Sequence, residues 1–190
     1  MAVEKQVTTI EEFIEFVYRP ENADRIFEFI DGRVVEKGEL INGEIVEKMP
    51  GTTRNSAIAA WIIFFVRLFC REREIPCFIT GEQGTYNILG RAYAPDFAFK
   101  QTPTSAEYPD PIPPLWVVEV ISPNDKPHEV RAKRQVYLQA GILYWELYPE
   151  DQSVDVYTPD QPMRTYRAGD VVDAGEVIPG FTLAVSDLFE

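Results

Sequence analysis

Cysteine and histidine are both scarce in this sequence. Its 190 residues include two cysteines, Cys70 and Cys77, and a single histidine, His128. Zinc sites are built mainly from these residue types, so we expect no Cys-based metal centre and interpret both cysteines as reduced structural thiols. A lone histidine and the lack of a G-x-S-x-G motif also argue against a Ser or Cys nucleophile. P-loop and G-x-G-x-x-G motifs are missing too, so nothing indicates a nucleotide cofactor.

Basic residues are also few. The chain has 18 Lys and Arg residues against 31 Asp and Glu residues, which gives a net charge of −13. Such a chain repels a polyanion at long range, so contact with nucleic acid would need a local basic patch or metal ions. The segment 126–134 is the only locally basic stretch, and it fits either a DNA-facing patch or a solvated helix end.

Long apolar runs are missing as well. The most apolar segment, 57–70, contains Arg67 and is shorter than the roughly 20 residues that a membrane helix needs. The first residues turn acidic at once, unlike those of a secretory signal. We therefore predict a buried helix in a cytoplasmic protein without membrane contact, and one globular domain over residues 1–190.

The order of helical and strand patterns predicts an α+β fold of α/β-like character. A capping box begins a short helix near residue 10, and two near-repeats at 30–37 and 41–48 predict an N-terminal antiparallel meander. There follow a long helix over about 55–74, strands at 93–100 and 115–122 around a Pro-rich loop expected to be exposed and mobile, a helix at 128–141 and a C-terminal hairpin. This order predicts a mixed central sheet with a helix on each face.

Two of these strands each carry a carboxylate among apolar residues: Asp96 in "YAPDFAFK" and Glu119 in "LWVVEVIS". If the strands are neighbours, strand alternation allows both acids to lie on one face. Two close buried carboxylates repel, so a cation between them is favoured, and oxygen ligands suit Mg²⁺ or Mn²⁺. The alternative is that each acid lies at a strand end, hydrogen-bonded or paired with an arginine.

The helix after the second of these strands is predicted to carry an inward-facing lysine. At about 100° per residue, Lys133 falls within the apolar arc that includes Val136 and Tyr137, whereas Arg131 and Arg134 are predicted to point away. The alternative is a surface pair of Lys133 with Glu129. Two carboxylates, a metal and a lysine are typical of a site that cleaves phosphodiesters.

Several segments stand in a characteristic order: "RPENADRIFEFIDG", "TGEQGTY", "APDFAF", "LWVVEVISPND", "EVRAKRQVYLQAG", "WELYPE" and "GEVIPGFTLAVSDLF". Together they cover nearly the whole chain and resemble the putative restriction endonuclease family, long a domain of unknown function, within the PD-(D/E)XK nuclease superfamily. The resemblance implies a restriction-endonuclease-like fold, metal-dependent hydrolysis of phosphodiester bonds in nucleic acid, with DNA the expected substrate, and a homodimer.

The resemblance also implies roles for single residues. Asp96 matches the Asp of the PD element and Glu119 the second acid, which makes them the candidate metal ligands. The usual lysine two residues after that acid is replaced by Ile121, and Lys133 matches the position on the next helix to which the family moves it. The helical arc and the resemblance therefore select the same lysine.

A further acid in the "FEFIDG" element matches Glu28, as a supporting ligand or base, although Glu39 in "GELING" fits the same pattern. We prefer Glu28 because "RPENADR" precedes it. Relatives carry a histidine at the start of the long helix, a place that residues 54–56 fill here without one, and we interpret His128 as a surface or capping residue. The acidic charge and the displaced lysine also fit a catalytically silent nuclease fold that serves as a binding or assembly module.

Overall fold

The computed structural model describes residues 7–22, 25, 27–30, 32–36, 39–41, 44–46, 52–123 and 125–190. Within these ranges the helices are α1 (Ile10–Val17), α2 (Thr53–Glu72) and α3 (Pro127–Gln139). The strands are β1 (Phe27–Ile30), β2 (Arg33–Glu36), β3 (Glu39–Ile41), β4 (Glu44–Val46), β5 (Phe78–Gly81), β6 (Tyr86–Ile88), β7 (Arg91–Tyr93), β8 (Phe97–Lys100), β9 (Trp116–Val120), β10 (Leu143–Tyr148), β11 (Ser153–Tyr157), β12 (Arg164–Arg167), β13 (Val171–Asp173) and β14 (Thr182–Ala184).

The central sheet is mixed, with the strand order β12-β11-β10-β9-β8-β5. Strands β9 and β10 are parallel, and the other neighbours are antiparallel. A parallel pair needs a crossover, and α3 provides it, because it lies between β9 and β10 in the chain. The predicted fold class, a mixed sheet flanked by helices, is confirmed.

Strand alternation separates the two faces of this sheet. In β9, Trp116 and Val118 belong to the core cluster on the α2 side, whereas Val117 belongs to the cluster that contains Tyr137 of α3. Glu119 follows two residues after Val117 and therefore shares the α3 face. The alternation of side chains along β9 therefore places the Glu119 carboxylate on the face of the sheet that α3 covers.

Helix α2 is amphipathic, which corrects the prediction of a buried helix. One stripe, with Ile58, Ile62 and Val66, packs into the core, whereas Trp61 is 40% and Phe64 is 51% exposed. The sequence did not separate these faces because apolar residues occur all around the helix. By length and composition alone α2 could cross a membrane, but this criterion is weak, since core helices of soluble proteins also pass it.

The N-terminal strands form two antiparallel pairs. Strands β1 and β2 join β7 and β6 in a four-stranded sheet, whereas β3 pairs with β4 in a sheet of their own. Gly32 has the positive φ of 76° that a tight hairpin needs. The second predicted turn, at residues 42–43, lies outside the described residues. At the other end of the chain β11 and β12 form the expected hairpin.

The Pro-rich loop at 101–114 is mostly exposed, as predicted, and is tied to the rest of the fold at Asp110. Asp110 accepts hydrogen bonds from the backbone N–H groups of Ser105 and Ile112, and its Oδ2 lies 2.6 Å from Nζ of Lys100. Lys100 is only 1% exposed, so this ion pair is internal. Because the partners lie ten residues apart across the loop, strand and turn patterns gave no sign of it.

Candidate active site

Asp96 and Glu119 lie on neighbouring strands. The antiparallel register pairs Phe97 with Val118, so Asp96, immediately before β8, lies beside the end of β9 that carries Glu119. The backbone N–H of Val120 donates to Asp96 Oδ2 over 2.8 Å. The half-buried Asp96 carboxylate is therefore fixed to the same strand that presents Glu119.

Glu28 reaches the same place from the other sheet. Its neighbours Phe27 and Phe29 pack toward α1, so alternation along β1 directs Glu28 to the opposite face. The residue is 4% exposed, and its Oε1 accepts a hydrogen bond of 3.1 Å from the backbone N–H of Ala94. Ala94 lies two residues before Asp96. The segment between β7 and β8 therefore contains Asp96 and also binds the carboxylate of Glu28.

Lys133 joins these acids from α3. Its Nζ lies 3.0 Å from Glu28 Oε1 and 3.4 Å from Glu119 Oε1, and its side chain is 16% exposed. The alternative partner, Glu129, is instead 3.4 Å from Lys126. The structure thus brings together Glu28, Asp96, Glu119 and Lys133, which the sequence selected from four separate segments.

The surroundings keep Lys133 charged. Burial by itself lowers the pKa of this lysine, but the negative charges of Glu119 and Glu28, the hydrogen bond to Glu28 and the charge of Asp96 outweigh burial and raise the pKa above its ordinary value. The side chain is therefore a permanent cation at neutral pH. It can donate hydrogen bonds and stabilise negative charge, but it cannot accept a proton as a general base.

Tyr137 supports the site from one helical turn further along α3. Its hydroxyl donates to Glu119 Oε1 over 3.1 Å. Burial, the charges of Glu119 and Glu28 and weaker local contacts raise the pKa of Tyr137 well above its ordinary value, so the phenol stays neutral. Glu119 Oε1 thus accepts from two donors of α3, which fixes the direction of its carboxylate.

A second ion pair lies next to this site, and the sequence analysis missed it. Arg134 was predicted to point away, yet its Nε and one of its terminal nitrogens lie 2.9 and 2.8 Å from the two oxygens of Glu146. Glu146 is fully buried and also accepts from the hydroxyls of Tyr148 and Tyr157. The sequence did contain one sign of this pair: Glu146 is a single acid in the apolar strand "ILYWELY", and a buried acid needs a cation or hydrogen-bond donors.

The residues of the site fit a divalent metal that is held by few protein ligands. Among the described residues there is no group of three or more His, Cys, Asp or Glu side chains placed to hold a metal. Asp96 and Glu119 nevertheless offer oxygen ligands on adjacent strands, and Mg²⁺ needs only one or two carboxylates when water and substrate complete its shell. Glu28, Asp96 and Glu119 together also carry more negative charge than Lys133 neutralises.

Two further residues were named from the sequence, Glu39 and His128. Glu39 lies in β3, and its side chain is outside the described part of the structure. His128 is a surface residue with a side chain 70% exposed, and its nearest acid is Glu129 at 3.9 Å. Most cations of the basic stretch 126–134 also face acids of this chain, since Lys126, Lys133 and Arg134 all form ion pairs.

Comparisons with known proteins agree with this architecture. A solved structure described as a putative nuclease of the DUF820 family from Anabaena variabilis ATCC 29413 superposes with a TM-score of 0.72 at 20% identity, covering 95% of this chain and 97% of that chain. No curated protein matches the chain significantly. The sequence profile of the Uma2 family, described as "putative restriction endonuclease", matches residues 10–186. This match covers nearly the whole chain, which therefore belongs to the putative restriction endonuclease family.

Proposed function

We propose that this protein is a metal-dependent endonuclease that hydrolyses phosphodiester bonds in DNA. The observation that carries the proposal is the position of Lys133 Nζ, within 3.0 Å of Glu28 and 3.4 Å of Glu119, next to an Asp96 carboxylate fixed on β9. A permanently charged donor beside two candidate metal ligands is typical of sites that hydrolyse phosphodiesters. Family membership supports the same reaction class.

Each side chain of the site has its own role in the proposed reaction. Asp96 and Glu119 would hold Mg²⁺ or Mn²⁺, which supplies a Lewis acid for the phosphate and activates water. Lys133 has three N–H donors, and Glu28 and Glu119 are the only described residues that accept from it. Its third proton is directed at the attacking water or at a phosphate oxygen. Glu28 orients Lys133, and the Ala94 N–H and Tyr137 hydroxyl keep the carboxylates in place.

Cleavage of supercoiled plasmid tests the proposal. Wild type and Asp96→Asn are compared with Mg²⁺, with Mn²⁺ and with EDTA, and circular dichroism checks that both proteins are equally folded. Asparagine keeps an oxygen that can accept from the Val120 N–H, so the variant should fold while it loses the charge that binds metal. Metal-dependent nicking by wild type, lost in the variant, is the expected result. If wild type cleaves neither DNA nor RNA with either metal, the proposal fails.

A second candidate function is a nuclease fold without activity that serves as a binding or assembly module. It is favoured by the lack of a group of three metal-binding side chains among the described residues and by Lys133, which already compensates part of the acidic charge. Isothermal titration calorimetry separates the two functions. Binding of Mg²⁺ or Mn²⁺ that is lost in Asp96→Asn supports the enzyme, whereas no heat of binding supports the module.

We also propose that the protein is a cytoplasmic homodimer. Cys70 and Cys77 are both free thiols, and burial and contact with Cys77 raise the pKa of Cys70 to about 12. Two neighbouring cysteines without a disulfide between them suit a reducing compartment. The exposed rings of Trp61 and Phe64 on α2, next to the edge strand β5, are the surface we assign to the contact between two copies.

A further inference from the structure

An acidic nuclease needs a place where a nucleic-acid strand can be held. The net charge is −13, and most cations near the proposed active site already pair with acids of this chain. Binding of a strand therefore requires a local group of cations and aromatic rings elsewhere. One pocket among the described residues has this composition.

The pocket lies at the end of α1, between that helix and the loop at 101–114. Its volume is about 320 Å³, and its lining includes Tyr18, Arg19, Arg25 and Tyr108. This volume is at the lower end of the roughly 300–1,000 Å³ typical of small-ligand pockets, so it suits one nucleotide rather than a duplex. The acid of the same turn, Glu21, is not among the described lining residues.

Aromatic rings hold both guanidinium groups of the pocket. Arg19 lies over the ring of Phe16 at 5.4 Å, and Arg25 lies over Phe27 at 4.9 Å and donates to Asn22. Stacking leaves the N–H edge of a guanidinium able to donate in its own plane. No described residue accepts a hydrogen bond from Arg19, so that edge can donate to a phosphate.

Tyr18 gives the pocket an exposed aromatic face. The residue is 67% exposed, and its ring packs edge to face against Tyr108 at 6.0 Å. A perpendicular contact covers at most one face of the Tyr18 ring, so the other face can stack on a planar partner. Nucleobases stack on such faces with little sequence preference, but only where the base is not already stacked on both sides within a duplex.

The pocket is close to the proposed active site. Arg25 is three residues before Glu28, so their Cα atoms are at most about 11 Å apart whatever the conformation between them. Tyr108 of the pocket is also within electrostatic reach of Glu28. Burial is the main cause that raises the pKa of Tyr108, and the charges of Tyr18 and Glu28 raise it further. Arg25 packs on Phe27, on the α1 side of β1, whereas Glu28 faces the other side, so a strand that reaches both places passes around the start of β1.

We propose that this pocket binds one unpaired nucleotide that flanks the scissile phosphate, with its base stacked on Tyr18 and its phosphate bound by Arg19. The inference rests on the proposed function for its biological meaning, because it assigns the nuclease a preference for strands with a single-stranded or distorted segment. Binding in the pocket does not depend on catalysis, since Tyr18 and Arg19 take no part in the reaction assigned to Lys133.

Fluorescence anisotropy with a labelled single-stranded oligonucleotide and the matching duplex tests the pocket. All variants are made in the Asp96→Asn background, so that binding is measured without cleavage. Tyr18→Ala should weaken single-strand binding about 5- to 100-fold, the range expected for one stacked base, and Tyr18→Phe should restore it. Arg19→Met should lower the dependence of log affinity on log salt by about 0.7, the value for one phosphate contact.

Leu89→Ala is the matched control, since Leu89 is 54% exposed in a turn that does not line the pocket. The proposal is overturned if Tyr18→Ala binds as tightly as this control, if the duplex is weakened as much as the single strand, or if the parent binds no single strand. Plasmid nicking by the wild-type protein is recorded separately. Nicking that persists when the binding results are negative leaves the proposed function intact and rejects only the pocket.

Discussion

Glu119 of β9 and Glu146 of β10 are directly paired positions of two parallel strands, and both side chains are buried on the face covered by α3. Consecutive residues of that helix compensate them, with Lys133 at Glu119 and Arg134 at Glu146. Two like charges on adjacent strands would otherwise destabilise the sheet. The helix that connects these strands therefore supplies one cation for each of the two acids.

Removal of the Lys133 charge should abolish cleavage. In Lys133→Met the donor between Glu28 and Glu119 is lost, and we expect plasmid nicking to fall about 100-fold or more, the usual effect of removing a donor that stabilises the transition state. Arg131→Met is the matched control, because Arg131 lies exposed on the same helix. Equal activity of the two variants would contradict the role assigned to Lys133.

The free energy of unfolding should fall at alkaline pH. The pKa of Lys133 is raised above its ordinary 10.5, so its contribution is complete below that pH and is lost above it, where the unfolded chain loses the proton. The pKa of Tyr137 is raised above 10.0, so above that pH ionisation favours the unfolded chain. Well above its ordinary pKa, each group lowers the free energy of unfolding by about 1.4 kcal/mol per pH unit.

Urea unfolding at several pH values up to 11 checks this expectation with wild type and Tyr137→Phe. The other tyrosines are present in both proteins, so the difference between the two slopes above pH 10.0 isolates Tyr137. We expect the slope of the variant to be smaller by about 1.4 kcal/mol per pH unit. Identical slopes would mean that the Tyr137 phenol ionises equally easily in the folded and unfolded chains.

The Arg134 and Glu146 pair should respond asymmetrically to mutation. Arg134→Met leaves the fully buried Glu146 without its cation, and we expect a loss of about 3–5 kcal/mol in the free energy of unfolding. The double variant Arg134→Met/Glu146→Leu removes both charges and should recover most of that loss. Chemical denaturation of the single and double variants measures the coupling. A double variant as unstable as Arg134→Met would show that lost packing, and not an uncompensated charge, is the cause.

A charge on the exposed face of α2 should separate the proposed dimer. Phe64 is 51% exposed and packs against Trp61 and Phe65, so Phe64→Arg places a cation within an apolar contact without opening the core. Light scattering should show a dimer for wild type and a monomer for the variant. Met163→Arg, at a position 48% exposed elsewhere, should remain dimeric. If Phe64→Arg remains dimeric, the contact between the two copies lies on another surface.

Local patterns sufficed for much of the fold. The alternation of "LWVVEVIS" placed Glu119 on the face of Val117, and the helical period placed Lys133 toward the sheet, because both depend only on chain geometry. Arg134 was misjudged because a helical projection fixes the direction of Cβ, whereas a long side chain can reach around the helix to a buried acid. The anchoring of the Pro-rich loop by Lys100 and Asp110 depends on a contact between the strand and the loop, which no local period encodes.

The choice between Glu28 and Glu39 illustrates another limit. The segments "FEFIDG" and "GELING" carry similar residues, and the pairing of β1 with β7, through Phe29 and Ala92, brings the first of them to the segment that ends at Asp96. Such pairing is tertiary information. The side chain of Glu39 lies outside the described residues, so the preference for Glu28 stays a prediction that Glu28→Gln and Glu39→Gln can test by plasmid nicking.

The adjacency of Lys133 and Arg134 restricts how α3 can turn about its own axis. Successive residues of a helix point about 100° apart, so anchors at two of them fix the rotation, whereas a single anchor would allow the helix to roll. Inserting one residue between Lys126 and Lys133 would turn both cations away from their acids at once. Changes in the length of the loop before α3 are absorbed outside the helix and leave this angular alignment unchanged.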